Sequence, residues 1–521
     1  MADEPGPSSN HSSSSTFVDE HPSSAFNNKQ RVLITLSVML ATIMQAIDTT
    51  IANVALPQMQ GSMGVFQDQI SWVLTSYILA SAIFIPLTGF LSGRFGRRRV
   101  FITAVIGFTL TSMLCGAAQD IYQIVIFRFI QGVFGAPLIP LSQSIMLDIY
   151  PKEKHGSAMA AWGMGVMLGP IIGPTLGGWL TEYFTWRAVF YINLPIGLLT
   201  WLGLTMFVKE TAVDKKKHFD GMGFFYLAIA IGALQMMLDR GNSLNWFDSG
   251  EIVIEGLMSL LFFYLFLSHT FLTDQPFIDP RMFADKNFVV GIGFMFVVGV
   301  ILMTVMTLLP PFMEGLMGYP ILDVGILLAP RGLGTMISMM IMGRVISKTD
   351  PRIYIFIGLA AIMVSLWQMS RFTHEVDSTA IFTTGFLQGL GLGCIFVPLS
   401  TLTFSTLEAK FRNEATSLYN LIRNLGSSIG VSVVITLLSR NTQSNHAVFV
   451  EDLNFSNIGL RQAVEAGSVD LSTVQGLAAL NGGVSQQAFL LAYLQDFRFI
   501  MWLCVFVFPF LLLLRPPKAQ T

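Results

Sequence analysis

The stretch Ser157-Ala-Met-Ala-Ala-Trp-Gly163-Met-Gly165-Val-Met-Leu-Gly169-Pro170-Ile-Ile-Gly173-Pro174-Thr-Leu-Gly177-Gly178-Trp-Leu180 carries no charged side chain. A helix crossing the hydrocarbon layer needs about 20 mainly apolar residues, so this run reads as a membrane span. Gly165, Gly169, Gly173 and Gly177 recur every fourth residue, which puts them on one helix face where a neighbouring helix can approach closely. Pro170 and Pro174 bend the same rod. The combination reads as a packing hinge, with a plain close helix contact as the alternative.

Similar runs lie on both sides, at about 32–56, 70–91, 99–118 and 122–147 before it, and at about 186–208, 221–238, 251–272, 287–312, 322–346, 352–370, 378–404, 415–439 and 496–514 after it. With 157–180 they make fourteen spans by length. Composition agrees: 12% of the 521 residues are charged, whereas soluble proteins carry roughly a quarter, too few here to cover a soluble surface of this size. The fold class expected is an all-α polytopic membrane protein.

Charge distribution orients it. With the amino terminus in the cytoplasm, the basic residues within 94–99, 152–154, 209–217, 281–286, 344–352, 410–412 and 515–518 fall inside, while Arg187, Arg240, Arg371, Arg440 and Arg461 fall outside. That is the positive-inside asymmetry, and it places both termini in the cytoplasm.

Two halves echo each other. Gln131-Gly132 followed by Pro140-Leu141-Ser142 in span four matches Gln388-Gly389 followed by Pro398-Leu399-Ser400 in span twelve. Gly93-Arg94 after span two matches Gly343-Arg344 after span ten. Both echoes are offset by eight spans, as an internal duplication requires. The domains expected are a disordered cytoplasmic tail at 1–29, a six-helix bundle at 30–210, two inserted helices at 211–274, and a second six-helix bundle at 275–521. The weakly amphipathic stretch 440–495 reads as a long outer loop with room for short helices, either a partner contact or a spacer.

Ionisable residues inside the spans are the candidates for chemistry, because a charge in the bilayer is costly. Asp48 in span one is either a carboxyl that exchanges protons or a water-exposed interfacial group. Arg128 in span four either gates that carboxyl or packs against backbone carbonyls. Arg331, Glu408 and Arg423 read as structurally paired charges. Gly89, Gly93, Arg94, Gly96, Arg97, Arg98 and Arg99 after span two read as a tight latch that donates to carbonyls at helix ends of the other half. Gln45, Asn53, Gln131, Gln388, Asn420 and Arg423 are candidate cavity residues, and some of the 28 methionines and 43 phenylalanines suit a deformable lining for hydrophobic small molecules.

The three cysteines, Cys115, Cys394 and Cys504, fall inside apolar runs, which argues against a disulfide framework or a cysteine metal site. No Gly-rich NTP loop or HExxH occurs. Transport therefore has to run on an ion gradient or downhill, with no cofactor, no metal and no nucleic-acid partner expected.

These motifs resemble the major facilitator superfamily, in its fourteen-span drug:proton antiporter branch. Asp48 to Pro57 resembles that branch's first-helix signature, Gly89 to Arg99 the cytoplasmic loop motif, Arg128 to Gly135 the span-four arginine motif and Gly163 to Gly178 the antiporter motif. Trp186, Arg187, Phe190, Asn193, Pro195 and Gly197 add a span-six signature. The resemblance implies a major facilitator fold of two six-helix bundles plus two inserted helices. It also implies proton-driven export of hydrophobic toxic compounds across a bacterial inner membrane. Segments 135–144 and 238–247 are similar to the pumps of tripartite systems, which implies a periplasmic membrane-fusion adaptor and an outer-membrane channel as partners, and 440–495 as the adaptor-facing element. Export of one dedicated compound class, such as a siderophore, fatty acid or bile salt, stands beside broad drug export. The loop motif usually has an aspartate where this chain has Gly93, so the family's charge–dipole latch cannot operate identically here.

Overall fold

The computed structural model describes residues 27–211, 213–215, 218–346, 348–453, 457–465 and 470–514. Residues 1–26 of the expected tail, and Lys216, Lys217, Arg515 and Lys518, lie outside the described residues. The described chain forms α1 (Asn28–Met63), α2 (Gln67–Phe84), α3 (Leu87–Phe95), α4 (Arg97–Ala117), α5 (Ile121–Gly135), α6 (Leu138–Ile149), α7 (His155–Tyr183), α8 (Ala188–Tyr191) and α9 (Asn193–Phe207). The inserted pair is α10 (Gly221–Arg240) and α11 (Gly250–Leu272). The second half holds α12 (Lys286–Pro311), α13 (Ile321–Val345), α14 (Pro351–Met369), α15 (Ser378–Ser405), α16 (Arg412–Asp452), α17 (Ile458–Glu465) and α18 (Val474–Val507).

Helices are the form lipid permits, since each backbone group must find its partner within the segment. Thirteen helical stretches are long and apolar enough to cross a membrane, and the bent pair α2–α3 brings the number to fourteen. That pair turns by 57° at Ile85-Pro86, where the proline lacks the N–H that would continue the ladder. Pro137 lies at the short break between α5 and α6, which together make one span. Asp120, Asp220 and Asp285 start α5, α10 and α12 by accepting backbone N–H bonds from Gln123, Gly223 and Phe288, the usual N-cap arrangement.

Packing repeats the duplication in three dimensions. In the first half α1 lies on α7, α2 on α5, α4 on α5 and α4 on α9. Shifted by eight spans, the same contacts recur as α12 on α16, α13 on α15, α14 on α15 and α14 on α18. The halves meet through α7 with α13 and α3 with α16, and through α6 with α16 and α7 with α15; each pair maps onto its counterpart when the halves are exchanged. The inserted α10 and α11 pack on each other, and α10 also touches α2 and α16.

The glycine ridge of α7 faces α1. A Cβ at Gly169 would strike the Ala46 backbone, one at Gly173 the Thr50 side chain, and one at Gly177 would lie 2.9 Å from Ile51 Cγ1. Helix α7 runs unbroken through Pro170 and Pro174. Its other side meets the second half, where Gly156 lies against Ile346 and Gly163 against Met339 and Phe396.

Within 440–495 the described residues are largely helical, as the weak amphipathicity of the stretch allows. Helix α16 has 41 residues, about 60 Å at the helical rise and so about twice the thickness of the hydrocarbon layer. It runs on to Asp452, and α18 starts at Val474 and packs back along it. The continuation is polar, with Arg440 to His446 carrying no apolar run, so a reading based on hydropathy ends the element where the lipid ends.

Candidate functional site: a buried carboxylate and an interhelical latch

Asp48 sits on the part of α1 that the α7 ridge and α9 enclose, and its side chain is fully buried. One carboxylate oxygen accepts from Arg128 Nη1 at 2.7 Å. The other accepts from Gln131 Nε2 at 3.0 Å and from Asn193 Nδ2 at 2.7 Å. Arg128 and Gln131 stand three residues apart on α5, hence on one face, and Arg128 Nη1 also donates to Gln131 Oε1 at 2.8 Å. The guanidinium carbon lies 5.0 Å from the ring centroids of both Tyr77 and Phe190, in range for cation–π attraction. Asn193, at the start of α9, spends its second N–H on Ser112 Oγ at 2.9 Å, and that hydroxyl donates to the Phe190 carbonyl at 2.8 Å.

Among the described residues, Asp48–Arg128 is the one ion pair with both side chains fully buried. Removing either member of such a pair strands the other charge, at a cost of about 3–5 kcal/mol. Three helices, α1, α5 and α9, therefore converge on one carboxylate. The interfacial alternative for Asp48 does not hold, because no part of it reaches the surface, and Arg128 bonds side chains rather than backbone carbonyls.

The cavity candidates separate. Gln131 belongs to the Asp48 cluster. Gln45, one turn earlier on α1, is buried with its amide oxygen unpartnered, and Gln388 is buried with both amide atoms unpartnered. Asn420 donates to Gln143 Oε1 at 2.8 Å, across the two halves. Asn53 is exposed and stands apart. Glu408 pairs with Lys410 at 2.6 Å on the surface. Arg331 and Arg423, expected to be structurally paired, have no carboxylate partner among the described residues: Arg331 Nη2 reaches the Leu302 carbonyl at 3.0 Å and Arg423 Nη2 the Asn424 amide oxygen at 3.3 Å.

At the arginine-rich end the expected latch takes a different form. Arg98 donates to the Thr205 carbonyl at 2.6 Å within its own half, and the backbone N–H groups of Arg98 and Arg99 bond Glu210. Gly93 accepts at its carbonyl from Asp214 N at 3.0 Å, and Arg94 is half-buried. Gly96 adopts a φ of 93° at the turn, a conformation glycine takes without strain. The two halves are joined instead by Asp148, whose oxygens accept one from Arg97 and one from Arg412 of the second half. Gly89 completes the contact: a Cβ there would lie 2.9 Å from Glu414 Cα. Ser144 Oγ and Asn413 Oδ1 are 2.6 Å apart, and Ser157 Oγ donates to the Gly343 carbonyl at 2.6 Å. The sequence reading passed over Asp148 and Arg412; each stands at a helix end, where a charge looks interfacial.

At the opposite end an open groove of about 710 Å³ lies where the α14–α15 connection meets α16 and α18, lined by Phe372, His374, Glu375, Phe449 and Gln487 among others.

Paired helical bundles sharing one interface, with a buried ion pair in the first, make up a multi-pass membrane fold. The sequence model of the Major Facilitator Superfamily matches residues 38–431, and the chain belongs to that family. It is 36% identical to the fatty acid resistance protein FarB of Neisseria gonorrhoeae, over 93% of this chain and 96% of that one. To the multidrug export protein EmrB of Escherichia coli K12 it is 35% identical, over 93% and 94%. Two crystal structures share the fold. The human organic anion transporter MFSD10 (TETRAN) matches with a TM-score of 0.59 at 13% identity, over 91% of this chain and 99% of that one. A bacterial homolog of the human lysosomal transporter Spinster, inward-facing and unoccupied, matches with a TM-score of 0.54 at 17% identity, over 95% and 100%.

Proposed function

We propose that this protein exports hydrophobic toxic compounds across the inner membrane in exchange for protons. The observation that carries the reading is the Asp48 carboxylate, held by three N–H donors, one of them from a guanidinium, and sealed from both surfaces. Ionised, it balances the charge of Arg128. Protonated, it releases the pair and leaves Arg128 with Gln131 and two aromatic rings, so that one proton changes what holds α1, α5 and α9 together. That is the differential contact a proton needs in order to shift a two-state equilibrium.

The arginine-rich end is the cytoplasmic one in this reading, with both termini on that side, and the closed Asp148–Arg412 latch makes the arrangement outward-facing. Substrate and proton compete across one cavity, and the halves rock about the α7–α13 and α3–α16 contacts, the glycine ridge letting α7 move against α1. The helices that continue into 440–495, with the groove beside them, are the surface offered to a periplasmic adaptor and outer-membrane channel. The names of the two relatives, one for multidrug export and one for fatty acid resistance, support export of toxic compounds; the fatty acid resistance of one favours, as a second reading, a dedicated exporter of one compound class. A susceptibility panel across chemically unrelated toxins separates the two.

The test is substrate-induced proton release from reconstituted protein, followed with a pH-sensitive dye. Substrate should release protons from the parent, and Asp48→Asn should abolish the release while keeping binding. Normal pumping by Asp48→Asn removes Asp48 from the coupling step.

A further inference from the structure

The second half carries a buried carboxyl of its own. Asp496 on α18 is fully buried, and neither of its oxygens has a hydrogen-bond partner among the described residues. Helix α18 is the counterpart of α9, since it meets α14 as α9 meets α4. Asp496 stands within a turn of the same distance from Val507, the end of α18, as Asn193 does from Phe207, the end of α9. Asn193 is a residue that holds Asp48, so the two carboxyls lie at similar depth, one in each half.

No cation balances Asp496 among the described residues. Of the helices packed on α18, α12 carries charge only at Lys286 and α14 only at Arg352, both in their first turns. On α16, Arg412 and Glu414 stand at the latch, Arg423 bonds Asn424, Arg440 is exposed and His446 bonds Asn481. Arg371 lies over the Trp367 ring, His374 and Glu375 line the outer groove, and Glu314 and Arg498 are exposed. The titratable neighbour is Tyr493, one turn earlier on α18. A carboxylate buried without a partner is costly, whereas its protonated form is neutral.

An aromatic layer separates Asp496 from the groove. Phe372 lines the groove and stacks on Phe312 with ring centroids 6.1 Å apart. Phe312 meets Tyr493 at 5.2 Å and Phe497 at 6.1 Å, the residues that flank Asp496 on its own helix. Phe312 also opens the π-helical turn Phe312–Leu316, directly after Pro310-Pro311. Such turns are rare and concentrate at functional sites, and this one puts a weak point of the helix in the layer itself.

We propose that Asp496 is a second proton carrier, loaded from the outer side past the Phe312–Phe372 layer, so that each cycle exchanges two protons for one cargo molecule. The inference rests on the proton-exchange reading and adds a residue and a stoichiometry to it. Ionisable groups in a membrane serve pathways and relays, and the groove brings water to within one aromatic layer of this one. Asp48 acts first, because its charge holds Arg128 and that of Asp496 holds nothing. Asp48→Asn therefore silences both protons, and Asp496→Asn only the second.

The test is the steady-state accumulation of cargo in inverted proteoliposomes of the full chain, with the membrane potential held at zero by valinomycin and equal potassium. The probe is the radiolabelled toxin to which the parent gives most resistance in the susceptibility panel. The logarithm of accumulation is plotted against the imposed pH difference, and its slope is the number of protons exchanged. The parent should give a slope of two, and Asp496→Asn a slope of one. Asp496→Leu, which puts no polar atom in the apolar site, should match Asp496→Asn, while Asp496→Glu keeps a slope of two. A parent slope of one, or a slope of two in either neutral variant, overturns the proposal. A variant that binds cargo without transporting it is decided by the pH-sensitive dye: cargo should release half as many protons as from the parent, and equal or absent release overturns the proposal. Should neither neutral variant fold, the parent slope decides. A parent slope of one sinks this inference alone, whereas a parent that accumulates nothing under any pH difference sinks the export reading.

Discussion

Asp148→Asn tests the latch between the halves. In the parent, Asp148 bonds Arg97 within the first half and Arg412 across the interface, and the Arg412 and Asp148 side chains are 4% and 22% exposed. Only the bond to Arg412 depends on the arginine-rich end being closed, so the Arg97 bond cancels between the two arrangements. A hydrogen bond to a charged group contributes about 1.5–3 kcal/mol, and partial exposure of Asp148 favours the lower end. The closed arrangement should then lose about tenfold to thirtyfold in relative population. Asp148→Asn also leaves two guanidiniums facing across the interface, so its effect should exceed that of Arg412→Gln, and Arg97→Gln should do least. Spin labels at Lys154→Cys and Thr349→Cys, both exposed at that end, report the separation by double electron–electron resonance. A longer-distance population should grow in that order. An unchanged distribution in Asp148→Asn, or Arg97→Gln exceeding Arg412→Gln, refutes the assignment.

Gly89→Val should hinder the same closure by clashing with Glu414, lowering transport and adding the longer spin-label distance. Gly169→Val should lower the unfolding temperature, because overpacking α7 on the Ala46 backbone costs about 1–3 kcal/mol; Gly178→Val, with open space around its Cβ position, should leave that temperature unchanged. Trp246→Phe removes the 2.8 Å bond to Thr436 Oγ1 that ties the inserted pair to α16, at a cost of about 0.5–1.5 kcal/mol, and hydrogen exchange in α10 should quicken.

The parts of the fold legible in the sequence were those the membrane imposes. The spans follow from apolar length, and the echoes around Gln131 and Gln388 anticipate helix contacts that repeat at an offset of eight. Asp48 and Arg128 stood out because charge is rare in lipid. Asn193, Ser112 and Tyr77 did not stand out as an assembly, since neutral polar residues in spans are common and only the convergence of α1, α2, α4, α5 and α9 gives these a partner. Asp148 and Arg412 were hidden by lying at helix ends, where charge is cheap. The full length of α16 was not legible because the polar run Arg440 to His446 ends the apolar pattern, although the helix continues through it to Asp452.

The most direct measurement is cargo uptake into inverted proteoliposomes with the pH difference and the membrane potential both collapsed by ionophores. Uphill accumulation should stop in the parent and return when an inside-acid gradient is restored. Accumulation that persists without either gradient contradicts proton coupling through the buried carboxylate of α1.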